Sequence, residues 1–257
     1  MSNTQQLLHQ TLSKWQSWQV EGLTLSSQPQ PIRELSGGKT NRSFLVASGA
    51  FEAVVRINAA NSESLGIDRN REQKILQLLQ PTGTVPRLFF SDMQAMVSAY
   101  CQGQHWVDSA ENRRKLNAAL AQIQAVSVPD LERRNYVDYC TAYINQLNLV
   151  DQPLVEKILS AASAVDKSYW TPVICHHDLV PENIIVTAEG LMLLDWEYAA
   201  MGHPALDYMH LYQSAPGQDS SRQDDLILTD LAYDRGSIEP LKVVQRGMND
   251  LWSLLQS

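Results

Sequence analysis

A run of residues, His176-His177-Asp178-Leu179-Val180-Pro181-Glu182-Asn183, leads into two short apolar segments and then into Asp195-Trp196-Glu197. The segments Ile184-Ile185-Val186 and Leu191-Met192-Leu193-Leu194 flank Thr187-Ala188-Glu189-Gly190, and together they read as a β-hairpin. Hairpin strands are antiparallel, so the residue before the first and the residue after the second emerge side by side. Asn183 and Asp195 are therefore expected at one end of the ribbon, with Asp178 in the loop that feeds it. Two carboxylates and an amide oxygen in one small volume are hard ligands. They suit Mg2+, which takes few protein groups and leaves the rest of its shell to water and phosphate oxygens.

The spacing H-x-D-x-x-x-x-N, followed by an Asp after a strand pair, is a phosphoryl-transfer pattern. In it the first Asp (Asp178) orients the attacking hydroxyl and takes its proton, while the Asn (Asn183) and the later Asp (Asp195) hold Mg2+ against ATP phosphates. Such chemistry also needs a cation on the phosphates, steadied by an acidic helix residue. Arg56 in the β-like run Ala53–Ile57 supplies the cation. Glu72 shares the apolar face of Ile75, Leu76 and Leu79 on the helix that follows, where a carboxylate is costly unless paired, and Arg56 is its natural partner. The preceding loop, with Gly37, Gly38 and Thr40, can cover phosphates with backbone N–H groups.

The chain surrounding these motifs has 257 residues, enough for one large domain or two small ones. From Pro31 to Tyr100, β-like runs (Phe44–Val46, Ala53–Ile57, Leu88–Phe90, Met96–Ala99) alternate with one helical segment near Ser64–Leu79. A helical stripe of Leu8, Leu12, Trp15 and Trp18 precedes them. Beyond Gln104 the pattern is mainly helical: Arg113–Val126, Asp138–Leu149, Pro153–Val165 and Pro240–Leu255. Ser214–Asp225 is polar and reads as a surface loop. The expected fold is α+β and bilobal. Residues 1–100 form a β-rich lobe with an N-terminal helix, and 101–257 a larger helical lobe with the catalytic loop and hairpin.

Composition narrows the partners. With 28 acidic against 20 basic residues the formal charge is −8, a poor match for nucleic acid or an anionic membrane surface and a better one for a cationic ligand. The three cysteines form no CxxC pair and suit reduced thiols in a cytoplasmic protein. No signal peptide and no apolar run of membrane-spanning length is evident. An A-P-E triplet is missing downstream of Asp195, so a protein substrate is not expected.

Taken in order, GG-x-TN-x-SF, VVR, R-x-x-E (Arg69 to Glu72), Y-x-x-G (Tyr100, Gly103), HHDLVPEN and LLDWEYA resemble the aminoglycoside phosphotransferase and choline kinase superfamily. These are small-molecule kinases with a protein-kinase-like fold. The likeness runs from about residue 31 to 212 and is nearest the choline kinase and thiamine kinase branch. It implies Asp178 as catalytic base, Asn183 and Asp195 as Mg2+ ligands, and Arg56 with Glu72 as phosphate clamp. It also implies that the hinge backbone at Ala99–Cys101 reads adenine, with Val54, Ile185 and Leu194 around the ring. Asp207 is implied as a brace of the catalytic loop. The chain departs from the pattern at His177, where relatives often carry a smaller residue, and in lacking a full G-x-G-x-x-G. Glu197, Trp196 and Tyr198 are candidates for a cationic alcohol such as choline, ethanolamine or thiamine, by charge and cation–π attraction, although core packing is open to both aromatic residues. An antibiotic phosphotransferase and a nucleotide-binding pseudokinase are the alternatives.

Overall fold

The structure of the chain, a computed structural model, describes residues 2–20, 22, 25–35, 40–62, 65–128, 130–147, 151–213 and 235–255. Gly37, Gly38 and the 214–225 segment lie outside the described residues. The chain divides into two compact units. One comprises Met1–Ser62, Arg69–Ala119 and Ile184–Leu194, the other Glu63–Asp68, Leu120–Asn183 and Asp195–Ser257. The hairpin thus folds with the β-rich part of the chain.

In the first unit, β1 (Gln30–Leu35), β2 (Arg42–Ser48), β3 (Phe51–Ile57), β4 (Leu88–Ser91) and β5 (Ala95–Ala99) form an antiparallel sheet in the order β1-β2-β3-β5-β4. Strand β3 alternates in burial from Phe51 to Val55 because one face meets a core, whereas Phe44, Leu45 and Val46 of β2 are buried in succession. Phe44, Val46, Phe51, Ala53, Val55, Phe89 and Val97 pack there against Leu8 and Leu12 of α1 (Asn3–Ser13) and against Trp18. Ser2 caps α1: its hydroxyl accepts from Gln5 N–H while the Gln5 side chain returns to Ser2 N–H. The helical spacing continues beyond Ser13, but a short 3-10 turn at Trp15–Ser17 ends the helix earlier than the stripe suggests.

Helix α2 (Arg69–Leu79) begins later than its apolar pattern, because Gly66 adopts φ +69°, outside the helical region. It buries Ile75, Leu76 and Leu79 as the spacing requires. Strand β1 carries no alternation, being exposed on both faces, so its sequence gives no strand signal. After the hinge, β6 (Gln104–His105) pairs with β8 (Ile184–Val186), and β8 pairs with β9 (Leu191–Leu193) in the hairpin read from sequence. Gly103 makes the first pairing possible, since a Cβ there would lie 2.5 Å from Ile185 Cγ2 and from the Val186 carbonyl oxygen.

Beyond these strands the chain is mainly helical: α3 (Ala110–Gln124), α4 (Tyr136–Ile144), α5 (Gln152–Lys167), α6 (Leu206–Gln213) and α7 (Arg235–Leu255). Two short strands, β7 (Val173–Cys175) and β10 (Ala200–Gly202), pair antiparallel within the second unit. Asn135 caps α4 by accepting from Asp138 N–H. Among the described residues, no helix is long and apolar enough to cross a membrane.

Candidate active site

Strand β7 delivers the chain to His176, and a 3-10 turn at Pro181–Asn183 passes it on to β8. Buried side chains shape the loop between them. The carboxylate of Asp207, in the first turn of α6, accepts His176 N–H at 2.8 Å on one oxygen and His177 N–H at 3.0 Å on the other. Enclosure in protein pushes the Asp207 carboxyl up to about 6, although the two N–H groups favour its charged form. The His176 ring lies 4.7 Å from that of Trp196, and its Nδ1 accepts Asp178 N–H at 3.3 Å. His177 takes a left-handed φ of +65°, which a side chain other than glycine adopts at a cost. Its backbone bond to Asp207, its ring contact with the Cys175 carbonyl at 3.2 Å and its seat beside Gly202 hold it there.

These constraints fix Asp178, which is half-buried. The Asn183 amide donates to the Asp178 carbonyl at 2.9 Å and to its carboxylate at 3.2 Å. With its nitrogen turned to Asp178, the hard Oδ1 of Asn183 lies on the opposite side of the amide. The ladder pairs Ile184 with Leu193, which puts Asn183 and Leu194 next in register and Asp195 one residue further along at the same end of the ribbon. Asp195 is also left-handed, with φ +59°. Among the described residues no group of three His, Cys, Asp or Glu gathers for a metal. Asn183 and Asp195 are the residues at this end of the ribbon with hard oxygen donors, the kind that Mg2+ takes together with water and phosphate oxygens.

The first unit carries the expected cation. Arg56 grips Glu72 with both Nη atoms at 2.7 Å, and its Nε donates to Asn58 at 3.1 Å. Arg69 approaches the same carboxylate, donating to Glu72 Oε2 at 2.9 Å. All three side chains are buried. Burial alone would raise the Glu72 carboxyl, but the charges and hydrogen bonds of Arg56 and Arg69 prevail and hold it below its ordinary value. The sequence reading gave Arg69 no role of its own. Its three-residue spacing from Glu72 on a helix was the available signal.

Of the remaining candidates, Ala99, Cys101, Val54, Ile185 and Leu194 all belong to the first unit. Ala99 N–H is taken by the Arg87 carbonyl at 2.8 Å. Burial pushes the Cys101 thiol up to about 11, so it is a neutral wall group at neutral pH. A cavity of about 900 Å3 in this unit reaches Ala99–Gln102 but includes neither the clamp nor Val54, Ile185 or Leu194. Thr40 adjoins Asn41, whose side chain bonds into the clamp region.

In the second unit, Trp196 is 1% exposed and packs on His176, so its ring serves the core. Tyr198 is buried with Leu65 and Ile67, and its carbonyl accepts from Arg134 at 2.9 Å. Burial and the neighbouring Glu197 charge raise its phenol. Glu197 is buried beside it.

The fold that holds these groups is that of the kinase-like phosphotransferases. It matches choline kinase LicA from Streptococcus pneumoniae with a TM-score of 0.76 at 21% identity, over 99% of this chain and 91% of that one. It matches an ethanolamine kinase from Plasmodium vivax with a TM-score of 0.70 at 19% identity, over 92% and 78%. In sequence, a LicA homolog from Mycoplasma capricolum subsp. capricolum is 26% identical over 190 residues, covering 71% of this chain and 72% of that protein. Residues 31–241 match the phosphotransferase enzyme family, and the chain belongs to that family.

Proposed function

We propose that this phosphotransferase is an ATP- and Mg2+-dependent kinase for a small cationic alcohol of the choline or ethanolamine type. The observation that carries the reading is the Asp178–Asn183 pair on a loop braced by Asp207. A carboxylate held this firmly can accept a hydroxyl proton and aim the oxygen it leaves behind. In the reaction, the Asp178 carboxylate takes the acceptor's hydroxyl proton. The hydroxyl oxygen bonds to the γ-phosphorus of ATP, the bond to the bridging oxygen breaks, and ADP departs with those electrons. Arg56, aimed by Glu72, faces the charge of the triphosphate. Asn183 Oδ1 and the Asp195 carboxylate would hold Mg2+, which when bound offsets charge on the phosphate oxygens. The hinge backbone from Ala99 to Cys101, with Val54, Ile185 and Leu194, receives adenine. Gly37, Gly38 and Thr40 cover the phosphates.

Support for a cationic acceptor comes from the choline and ethanolamine kinases of the same fold and from the net charge of −8. A coupled assay of ADP release with choline, ethanolamine, thiamine, a kanamycin-type aminoglycoside and fructosamines tests this. Turnover with choline or ethanolamine above the rest is expected. Preference for the aminoglycoside would overturn the acceptor assignment, and no ADP release with any alcohol despite nucleotide binding would make the protein a pseudokinase.

A further inference from the structure

His177 immediately precedes Asp178 and sits at φ +65°, a backbone region that is costly for any residue with a side chain. Its N–H donates to Asp207 at 3.0 Å, and its ring Nδ1 meets the Cys175 carbonyl at 3.2 Å. The far end of the ring rests elsewhere. A Cβ on Gly202 would stand 2.7 Å from His177 Cε1, 2.8 Å from its Nε2 and 3.1 Å from the Tyr136 hydroxyl. The imidazole and the phenol therefore close on the same glycine, with ring centroids 6.4 Å apart.

Tyr136 is itself firmly placed. It is the first residue of α4 and is 1% exposed. The Asp166 carboxylate accepts Tyr136 N–H at 3.0 Å and Val137 N–H at 2.9 Å, and the Tyr136 ring packs 6.1 Å from that of Trp170. Its hydroxyl accepts His203 N–H at 3.0 Å, directly after β10. Two residues earlier, Arg134 donates its N–H to the Met201 carbonyl at 2.8 Å and its Nη2 to the Tyr198 carbonyl at 2.9 Å. Strand β10 is thus paired with β7 along one edge and tied to residues 133–136 along the other. All of these residues belong to one compact unit.

We propose that Tyr136 is a positioning residue for Asp178. By accepting His203 N–H, its hydroxyl fixes Gly202 as the seat of the His177 ring and so maintains the left-handed turn that presents the carboxylate. This inference rests on the reading of Asp178 as the base. A glycine at position 177 would take the same φ without support, so the dependence on Tyr136 is created by the histidine. Tyr143 provides the control. It lies on the same helix, is also 1% exposed, and donates its hydroxyl to the Leu65 carbonyl at 2.7 Å. Removing either hydroxyl takes a buried hydrogen bond from α4, and only the bond of Tyr136 ends beside the seat.

The test joins hydrogen exchange over residues 176–180, read by mass spectrometry on the whole protein, to ADP release from ATP with choline or ethanolamine. Tyr136→Phe is expected to speed exchange there about tenfold. It should lower kcat about tenfold while KM for ATP stays within about twofold. Tyr143→Phe should lose a similar amount of Tm and leave exchange and kcat within about twofold of wild type. With His177→Gly already in place, Tyr136→Phe should change neither quantity by more than about twofold. Equal losses with histidine or glycine at position 177 would reveal a general structural role and overturn the inference. Unchanged exchange in Tyr136→Phe alone would do the same. Should the wild-type protein release no ADP with any alcohol, the kinase reading falls, and the exchange measurement still decides whether Tyr136 holds the seat.

Discussion

Asp178 shows how little freedom a candidate catalytic side chain has here. Its backbone N–H is bound to His176, its carbonyl and carboxylate to Asn183, and its neighbour His177 to Asp207. Asp178→Ala is expected to lower kcat by at least about 100-fold, the contribution typical of a positioned base, while AMP-PNP binding stays near wild type. Turnover that survives the change would take the base role from this residue. Glu72 belongs to a different balance. Removing it leaves two buried guanidiniums without the carboxylate they share, which costs about 3–5 kcal/mol. Glu72→Ala should show that loss in chemical denaturation, and a midpoint close to wild type would mean the triad relaxes into solvent. The spacing of Glu72 along α2 already required a buried partner in the sequence. Arg69 as the second partner was not legible, because an i,i+3 pair on a helix surface and one in a core look alike until the helix is placed.

At the scale of elements, the loop that carries Asp178 depends on the pairing of β7 with β10. Gly202 lies opposite Val173, and a Cβ at Gly202 would come within 2.7 Å of the His177 ring. Gly202→Ala is therefore expected to displace His177 and reduce kcat, at a stability cost of about 1–3 kcal/mol from overpacking. Adding His177→Gly removes the ring and suits the left-handed backbone, so the double variant should regain turnover. Failure of the second change to rescue the first would show that Gly202 acts elsewhere. Neither strand was visible in the sequence. Val173–Cys175 and Ala200–Gly202 are too short for any periodicity, and they form only because chain segments distant in sequence meet. The hairpin was legible because its turn and both apolar runs are local.

For the whole molecule, two buried carboxylates set opposing pH dependences. Asp207 titrates at about 6 in the folded protein against an ordinary 3.8. The folded state therefore binds this proton more tightly. That contribution is fully present below the unfolded value and is lost as pH rises through about 6, a difference of about 3 kcal/mol. Glu72 is held below 4.5, so its contribution is present above that value and fades as pH falls through its lower folded value. Asp207→Asn carries no buried charge and should gain more Tm relative to wild type at pH 8 than at pH 5. It should also turn over more slowly, since the asparagine NH2 replaces one of the two accepting oxygens and sets a donor against either His176 or His177 N–H. An equal change in Tm at both pH values would contradict the assignment of this titration to Asp207.

The amino-acid sequence by itself determined the order of the catalytic motifs, the hairpin that brings Asn183 and Asp195 to one end of a ribbon, and the need of Glu72 for a cation. These follow from local periodicity and from the cost of burying charge, which require no knowledge of distant neighbours. Tertiary structure alone decided that Trp196 packs on His176, that Arg69 and Asn41 join the clamp, and that His177 is seated against Gly202. Each depends on which surfaces meet after long stretches of chain have turned back, and side-chain type along a single strand or helix carries no record of that meeting.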